Sequence, residues 1–280
     1  MKEKLRISRV LIQLLLVIWS LVQLYPVIVM FMASLKTDSQ ITLDLFGLPK
    51  PIDLQNFPEV WFGKDIGLTL GTPVLNSVVI TALTLLLLCF GAALCGYALS
   101  RFRFPGNKVV YYLLVSLIAI PMQALILPIY LFAKDLGALN SIWFVIPMLA
   151  AFQIPFSVII MKTNFESLPH VVEEAAYIDG CSKFKTFWHI VMPMSRGSIA
   201  TIIIVNLVSI WGEFMFSSTI LMLPNVRTLP TAVSLFTTNM YNSTLGPLFA
   251  GLSIASFPLI IVYFIFQKQI VKGMAVGSVK

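Results

Sequence analysis

A chain of 280 residues with 58% hydrophobic and 11% charged residues and a mean hydropathy of +0.92 lies far from soluble globular domains, where about a quarter of residues are charged. The net charge of +7 does not point to nucleic acid, because the basic residues fall in loops between apolar runs and form no single basic face. The three cysteines, Cys89 and Cys95 in an apolar run and Cys181 in a polar segment, show no CxxC and no histidine at ligand spacing, so neither a disulfide framework nor a metal site is expected.

The first nine residues, MKEKLRISR, are basic and lead into an apolar run from Val10 to Ser34 without a small-residue cleavage pattern. They read as a tail (1–9) before an uncleaved first span (10–34). Residues 35–73 form a long outer loop, and its LPKPIDLQNFPEVWFG stretch carries the Pro, Gly and aromatic residues of a segment resting on the membrane surface. Five more runs able to cross about 30 Å of hydrocarbon as helices follow at Val74–Leu99, Val109–Phe132, Leu139–Met161, Ser198–Leu221 and Pro247–Phe266. Internal Pro121, Pro128, Pro147, Pro155 and Pro258 predict kinked helices packed against protein. The expected architecture is an all-α integral membrane chain of six transmembrane helices, with the core at 74–266 and a tail at 267–280. A second long outer loop, about Met222 to Gly246, is polar and includes Asn225, Arg227, Asn239, Asn242 and Ser243. Either outer loop suits contact with a delivery partner as well as simple connection.

Orientation follows from the basic residues. With the N-terminus inside, Lys2, Lys4, Arg6, Arg9, Arg101, Arg103, Lys108, Lys162, Lys183, Lys185, Arg196, Lys268, Lys272 and Lys280 face the cytoplasm, which is fourteen of 19. Only Lys36, Lys50, Lys64, Lys134 and Arg227 face out. The positive-inside rule therefore puts both termini in the cytoplasm.

The inner loop at 162–197 is amphipathic and too charged to cross the bilayer. Pro169 after Ser167 and Leu168 signals a helix start, Glu173 and Glu174 fall early enough to favour the helix dipole, and Gly180 ends the helix. A second helix is expected from near Ser182 towards Pro193. Small Ala175 and Ala176, apolar Val172 and Tyr177, and the charge of Glu174 describe a docking element; an interfacial helix against lipid head groups is the alternative.

The spacing E-A-A, three residues, G, nine residues, I, x-L-P occurs here as Glu174, Ala175, Ala176, Gly180, Ile190 and Pro193, with Met192 in place of Leu. It resembles the cytoplasmic signature of ABC importer permeases of type I. GYALSRFRFPG (Gly96 to Gly106), NSVVIT from Asn76, IPMQALILPIYL from Ile120, WGEF (Trp211 to Phe214) and the tail QKQIVKGMAVGSVK are similar to the carbohydrate-uptake, maltose-importer group. The resemblance implies a bacterial or archaeal cell membrane protein that pairs with a homologous second permease. It further implies two cytoplasmic ATP-binding subunits, which bind ATP and Mg, and an extracytoplasmic solute-binding protein. The EAA loop, with Glu173, Glu174, Ala175, Ala176, Gly180, Ile190 and Pro193, would then seat in the ATPase. No G-x-x-x-x-G-K-[ST] loop occurs in the chain, so no cofactor, catalytic residue or ATP site of its own is expected.

Within the spans, Glu213 is the acidic residue of the fifth run, suited either to lining or gating the pathway or to reaching the outer interface. Asn206, seven residues earlier on the same run, shares its helix face and suits either a pore lining or helix packing. Trp211 is a third pathway candidate, although an interfacial anchor is its commoner use. Gly212 stands where the family often has Asn. A membrane-embedded enzyme is disfavoured because His170 and His189 both lie on the inner loop and no HExxH or G-x-S-x-G motif occurs. A secondary transporter would need ion sites near the midplane and an internal repeat, neither of which is visible. An ABC permease for a non-sugar solute, such as an amino acid or peptide, is the closest alternative.

Overall fold

The computed structural model describes residues 2–63, 69–238 and 245–277. Lys64, Asn239, Asn242, Ser243 and Lys280 lie outside the described residues. Among those described, the regular structure is helical throughout, as expected where every backbone N–H and C=O in hydrocarbon must be satisfied within its own segment. Four helices are long and apolar enough to cross a membrane: Val10–Ala33, Gly71–Arg101, Ile142–Ser167 and Leu245–Gln267. Two further helix pairs pass the same test together but are bent, Asn107–Leu117 with Met122–Asp135 at 93° and Lys183–Met194 with Arg196–Trp211 at 71°. The described residues thus hold four continuous candidate spans, and the six expected from the sequence if each bent pair is one span.

The chain divides into two compact units. The first comprises Met1–Gly71 and Ala232–Pro258. Here α1 (Lys2–Ala33) is already helical through the stretch expected as a tail. It leads into α2 (Asp38–Leu43) and α3 (Asn56–Phe62). A Thr37–Gln40 capping box starts α2. Lys36, at the start of the expected outer loop, is buried, its ammonium donating to the carbonyls of Asp44 at 2.6 Å and Leu45 at 3.1 Å. Asn56 Nδ2 donates to the carbonyls of Ser34 and Lys36, and Asp38 accepts from the Gly246 N–H at 2.7 Å. The loop is therefore a folded cap, held by side-chain-to-backbone bonds, with Leu43, Phe46, Leu48 and Phe62 left exposed.

The second unit comprises Thr72–Thr231 and Leu259–Lys280. Its frame is α4 (Gly71–Arg101), α5 (Asn107–Leu117), α6 (Ile126–Asp135) and α7 (Ile142–Ser167). The third expected span breaks after α5 because Pro121 has no N–H to donate and holds its predecessor out of the helical region; Pro121 itself is extended (φ −69, ψ 132) before a 3₁₀ turn at Met122–Leu125. After α7 come α8 (His170–Ile178), α9 (Lys183–Thr186), a π turn (Phe187–Val191), α10 (Met192–Met194) and α11 (Arg196–Trp211). The fifth expected span stops at Trp211, and a separate α12 (Met215–Ile220) follows. The second outer loop holds a 3₁₀ turn at Pro224–Val226 and α13 (Leu229–Thr238), most of which, with the start of α14 (Leu245–Gly277), falls among residues of the first unit; α14 continues through most of the stretch expected as a C-terminal tail.

Gly96 decides how α4 meets α7. A Cβ built there would lie 2.8 Å from Met161 Cβ and 3.0 Å from the Lys162 backbone nitrogen, so the two helices touch backbone to backbone as small residues allow. Around that crossing Leu88, Ala92, Tyr97, Val158, Met161, Phe165, Phe187 and Ile202 form a buried apolar cluster.

Candidate functional site

The segment from Leu168 to Arg196 follows its local chemistry closely. Leu168 and Pro169 are extended (ψ 136 and 126), which separates α7 from α8 as a residue before proline does. At the other end Gly180 takes φ +81, its N–H bonds the Tyr177 carbonyl at 3.1 Å, and the Cys181 N–H bonds the Ala176 carbonyl at 2.9 Å. This is a Schellman cap, which needs a left-handed residue and so selects glycine. Ser182 then caps α9 by accepting from the Lys185 N–H. The helical run from Lys183 ends at buried Ser195, whose hydroxyl donates to the Val191 carbonyl at 2.9 Å, before the chain turns into α11.

Helix α8 has two faces. Val171, Glu174, Ala175 and Ile178, at the i, i+3, i+4, i+7 spacing of one stripe, are all exposed, with Val171 at 71% and Ile178 at 87%. Glu173 and Ala176 face inward and are buried. Of the sequence-selected coupling residues, Glu174, Ala175, Gly180 and Pro193 are exposed and Ile190 is partly buried. Glu173 does not offer its carboxylate outward. The reason is rotation: adjacent helical residues point about 100° apart, so only one of the two glutamates can share the exposed stripe. Val171, Ile178 and neighbouring Phe184, 70% exposed, were not singled out from the sequence, although the i, i+7 pair of apolar residues was there to be read.

Glu173 is held by the end of α4. Arg101 Nε donates to Glu173 Oε1 at 2.6 Å, and the Tyr97 hydroxyl donates to Oε2 at 2.9 Å. The Arg101 and Glu173 side chains are 5% and 8% exposed. Arg101 also donates to the Leu168 carbonyl at 3.1 Å, and its Nη1 lies 3.3 Å from His170 Nε2. The Tyr97 ring packs against Phe102, Phe165 and Phe187, with centroids 5.7, 5.6 and 4.8 Å away.

The three residues expected along the pathway sit differently. Asn206 is buried, its amide donating to Ser157 Oγ at 3.1 Å and to the Ile202 carbonyl at 2.8 Å, so it ties α11 to α7. Trp211 is buried at the end of α11. Glu213 no longer shares a face with Asn206, because the helix that would have aligned them ends at Trp211. Its carboxylate instead accepts from the N–H groups of Phe216 and Ser217 and from the Ser217 hydroxyl, at 2.6, 2.9 and 2.6 Å, the role of a cap for α12. Glu213→Ala is expected to lower the stability of the chain by about 1–2 kcal/mol, read as a lower midpoint in the unfolding of the detergent-solubilised protein.

A polar pair that the sequence reading passed over joins the same two helices: Gln153 Nε2 donates to Ser209 Oγ at 2.7 Å in an exposed position. An amide and a hydroxyl at mid-helix in α7 and near the end of α11 are costly against lipid and belong on a protein or water-lined face. A lone Gln in the apolar run Leu139–Met161 was the available signal.

The chain is similar to known proteins over most of its length. The family described as binding-protein-dependent transport system inner membrane component matches residues 88–276. The probable ABC transporter permease protein YurM of Bacillus subtilis is 35% identical over 256 residues, covering 91% of this chain and 83% of the relative. The maltodextrin transport system permease protein MalD of Streptococcus pneumoniae is 30% identical, covering 100% and 98%. Among solved structures, a bacterial ABC transporter involved in import of the acidic polysaccharide alginate shares the fold, with a TM-score of 0.80 at 24% identity, covering 94% of this chain and 96% of that one.

Proposed function

The chain belongs to the family of inner membrane components of binding-protein-dependent transport systems, and on that premise we propose that it forms half of the translocation pathway of an ATP-driven carbohydrate importer. The other half is a homologous permease, the energy comes from two cytoplasmic ATP-binding subunits holding ATP and Mg, and an extracytoplasmic binding protein delivers the solute. The maltodextrin relative supports a sugar or oligosaccharide as cargo. Both termini lie in the cytoplasm of a bacterial or archaeal cell membrane, in line with the distribution of Lys and Arg.

The observation that carries the coupling role is the exposed stripe of α8. Two large apolar side chains, Val171 and Ile178, flank the small Ala175 and the charged Glu174 on a helix whose C-terminal end is closed by the Gly180 cap. A short helix with apolar knobs, a small centre and one charge is suited to a groove on a partner protein. Lipid head groups would fit a broader apolar face bordered by basic residues, and α8 itself carries no Lys or Arg. The chain has no phosphate-binding loop of its own, so hydrolysis energy reaches it as a rigid-body push on this helix. Gln153 and Ser209 join Asn206, Trp211 and Glu213 as candidate groups of the pathway wall.

Co-purification of the tagged chain from its native membrane tests this reading. A Walker-motif ATPase is expected in the eluate of the wild type and is expected to fall away in Glu174→Lys. A chain that purifies alone and transports alone overturns the reading in favour of a secondary transporter.

A further inference from the structure

Glu173 and Glu174 are neighbours in sequence, yet one is exposed and the other is locked inside the protein. Resting on the coupling role of α8, we propose that Tyr97 and Arg101 form a positioning joint that makes α8 and α4 one rigid body, so that a push on the exposed stripe of α8 is delivered directly into a membrane-spanning helix.

The connection through the backbone is poor for this purpose. Leu168 and Pro169 are extended, so helical hydrogen bonding does not continue from α7 into α8, and the linker by itself would let α8 swing. The joint closes that freedom. Its two α4 residues are four apart, hence on one face and one turn apart, and each takes a different oxygen of the same carboxylate: Arg101 takes Oε1 at 2.6 Å and Tyr97 takes Oε2 at 2.9 Å. A carboxylate gripped at both oxygens is fixed in orientation as well as in distance. Arg101 also reaches past Glu173 to the Leu168 carbonyl and to His170, so one guanidinium pins the linker and the first turn of α8 together, a use of its rigid fork that lysine does not reproduce. The Tyr97 ring is in turn wedged among Phe102, Phe165 and Phe187, which come from the α4 end, α7 and the π turn. Among the described residues, the side-chain hydrogen bonds of α8 to α4 thus converge on these two residues.

A buried ion pair contributes little net stability compared with a well-packed apolar pair, whereas loss of one partner leaves an uncompensated charge. What the pair supplies is direction. That difference provides the test: Arg101→Met/Glu173→Leu removes the grip while leaving no orphaned charge, and Arg101→Lys keeps the charge without the fork. Spin labels are placed at Asp179→Cys beyond α8 and at Leu86→Cys on α4, both exposed, after replacement of Cys89, Cys95 and Cys181. Their distance is measured in nanodiscs for the chain alone and for the complex with its ATPases, with and without MgATP and vanadate.

The wild type is expected to give one narrow distance distribution that does not change when vanadate traps the nucleotide. The double variant is expected to give a broadened distribution that shifts on trapping, and Arg101→Lys an intermediate one. A wild-type distance that shifts on trapping, or a double variant as narrow and invariant as the wild type, overturns the joint. Failure of the coupling reading shows separately, as an absence of any ATPase in the wild-type complex, while the distributions of the chain alone still report on the joint.

Discussion

Gly96→Leu is expected to leave almost none of the chain folded. At this position α4 and α7 meet without side chains between them, and even a single added carbon would stand 2.8 Å from Met161 Cβ and 3.0 Å from the Lys162 nitrogen. Those neighbours are a Cβ and a backbone atom of a packed helix, so they cannot rotate aside as a flexible side-chain end does. Extra methylenes in a packed interior cost about 1–3 kcal/mol and more when backbone must shift, against a total stability of about 5–15 kcal/mol. A leucine adds four carbons at the point where helix separation also opens the cluster of Leu88, Tyr97, Met161 and Phe165. The same separation draws Tyr97 and Arg101, one and five residues further along α4, away from Glu173. The fraction of protein eluting as a monodisperse species in size-exclusion chromatography is the measurement, with Gly96→Ala expected to fall between Leu and wild type. A Leu variant as monodisperse and as heat-stable as the wild type would mean that the helices do not cross here.

Ile178→Asp is expected to produce the opposite phenotype, a fully folded chain that no longer recruits its ATPase. The side chain is 87% exposed at the last turn of α8, so its replacement removes no interior packing, and surface changes of this kind usually stay within about 0.5 kcal/mol of wild-type stability. In a partner's groove the same side chain would be an apolar anchor. Central anchors are worth about 2 kcal/mol or more, and an aspartate adds the cost of desolvating a charge, so affinity for the ATPase should fall at least about 30-fold by the 1.4 kcal/mol-per-decade rule. Retention of the ATPase on the affinity-purified chain, compared with the unfolding midpoint of the same preparation, separates loss of docking from loss of fold. Undiminished recovery of the ATPase would show that this stripe of α8 is not the docking surface. Val171 lies one stripe position from Glu174 and 71% exposed, and Val171→Asp should behave in the same way.

How much of this was legible beforehand depends on the range of the interaction responsible. The six apolar runs were visible because lipid forces the composition of any helix that crosses it. The division of the inner segment into two helices was visible because its punctuation is local: Pro169 cannot continue a helix, Gly180 supplies the left-handed cap, and Ser182 supplies the next N-cap. Pro121 announced a kink in the third run but not its 93° size, and the stop of the fifth run at Trp211 was not foreseen. The shared face of Asn206 and Glu213 follows from their seven-residue separation only along an unbroken helix; once α11 ends at Trp211, Glu213 turns to the N–H groups of α12.

By itself the sequence determined a multi-pass helical membrane protein with a capped amphipathic element between its fourth and fifth apolar runs, since each of those features follows from composition or from chemistry within a few residues. The sequence already named Glu174 as the docking charge; tertiary structure alone decided that Glu173, grouped with it as a coupling residue, turns inward. That choice rests on Tyr97 and Arg101, more than seventy residues away in sequence, and on the closeness of α4 and α7 that the missing side chain of Gly96 permits.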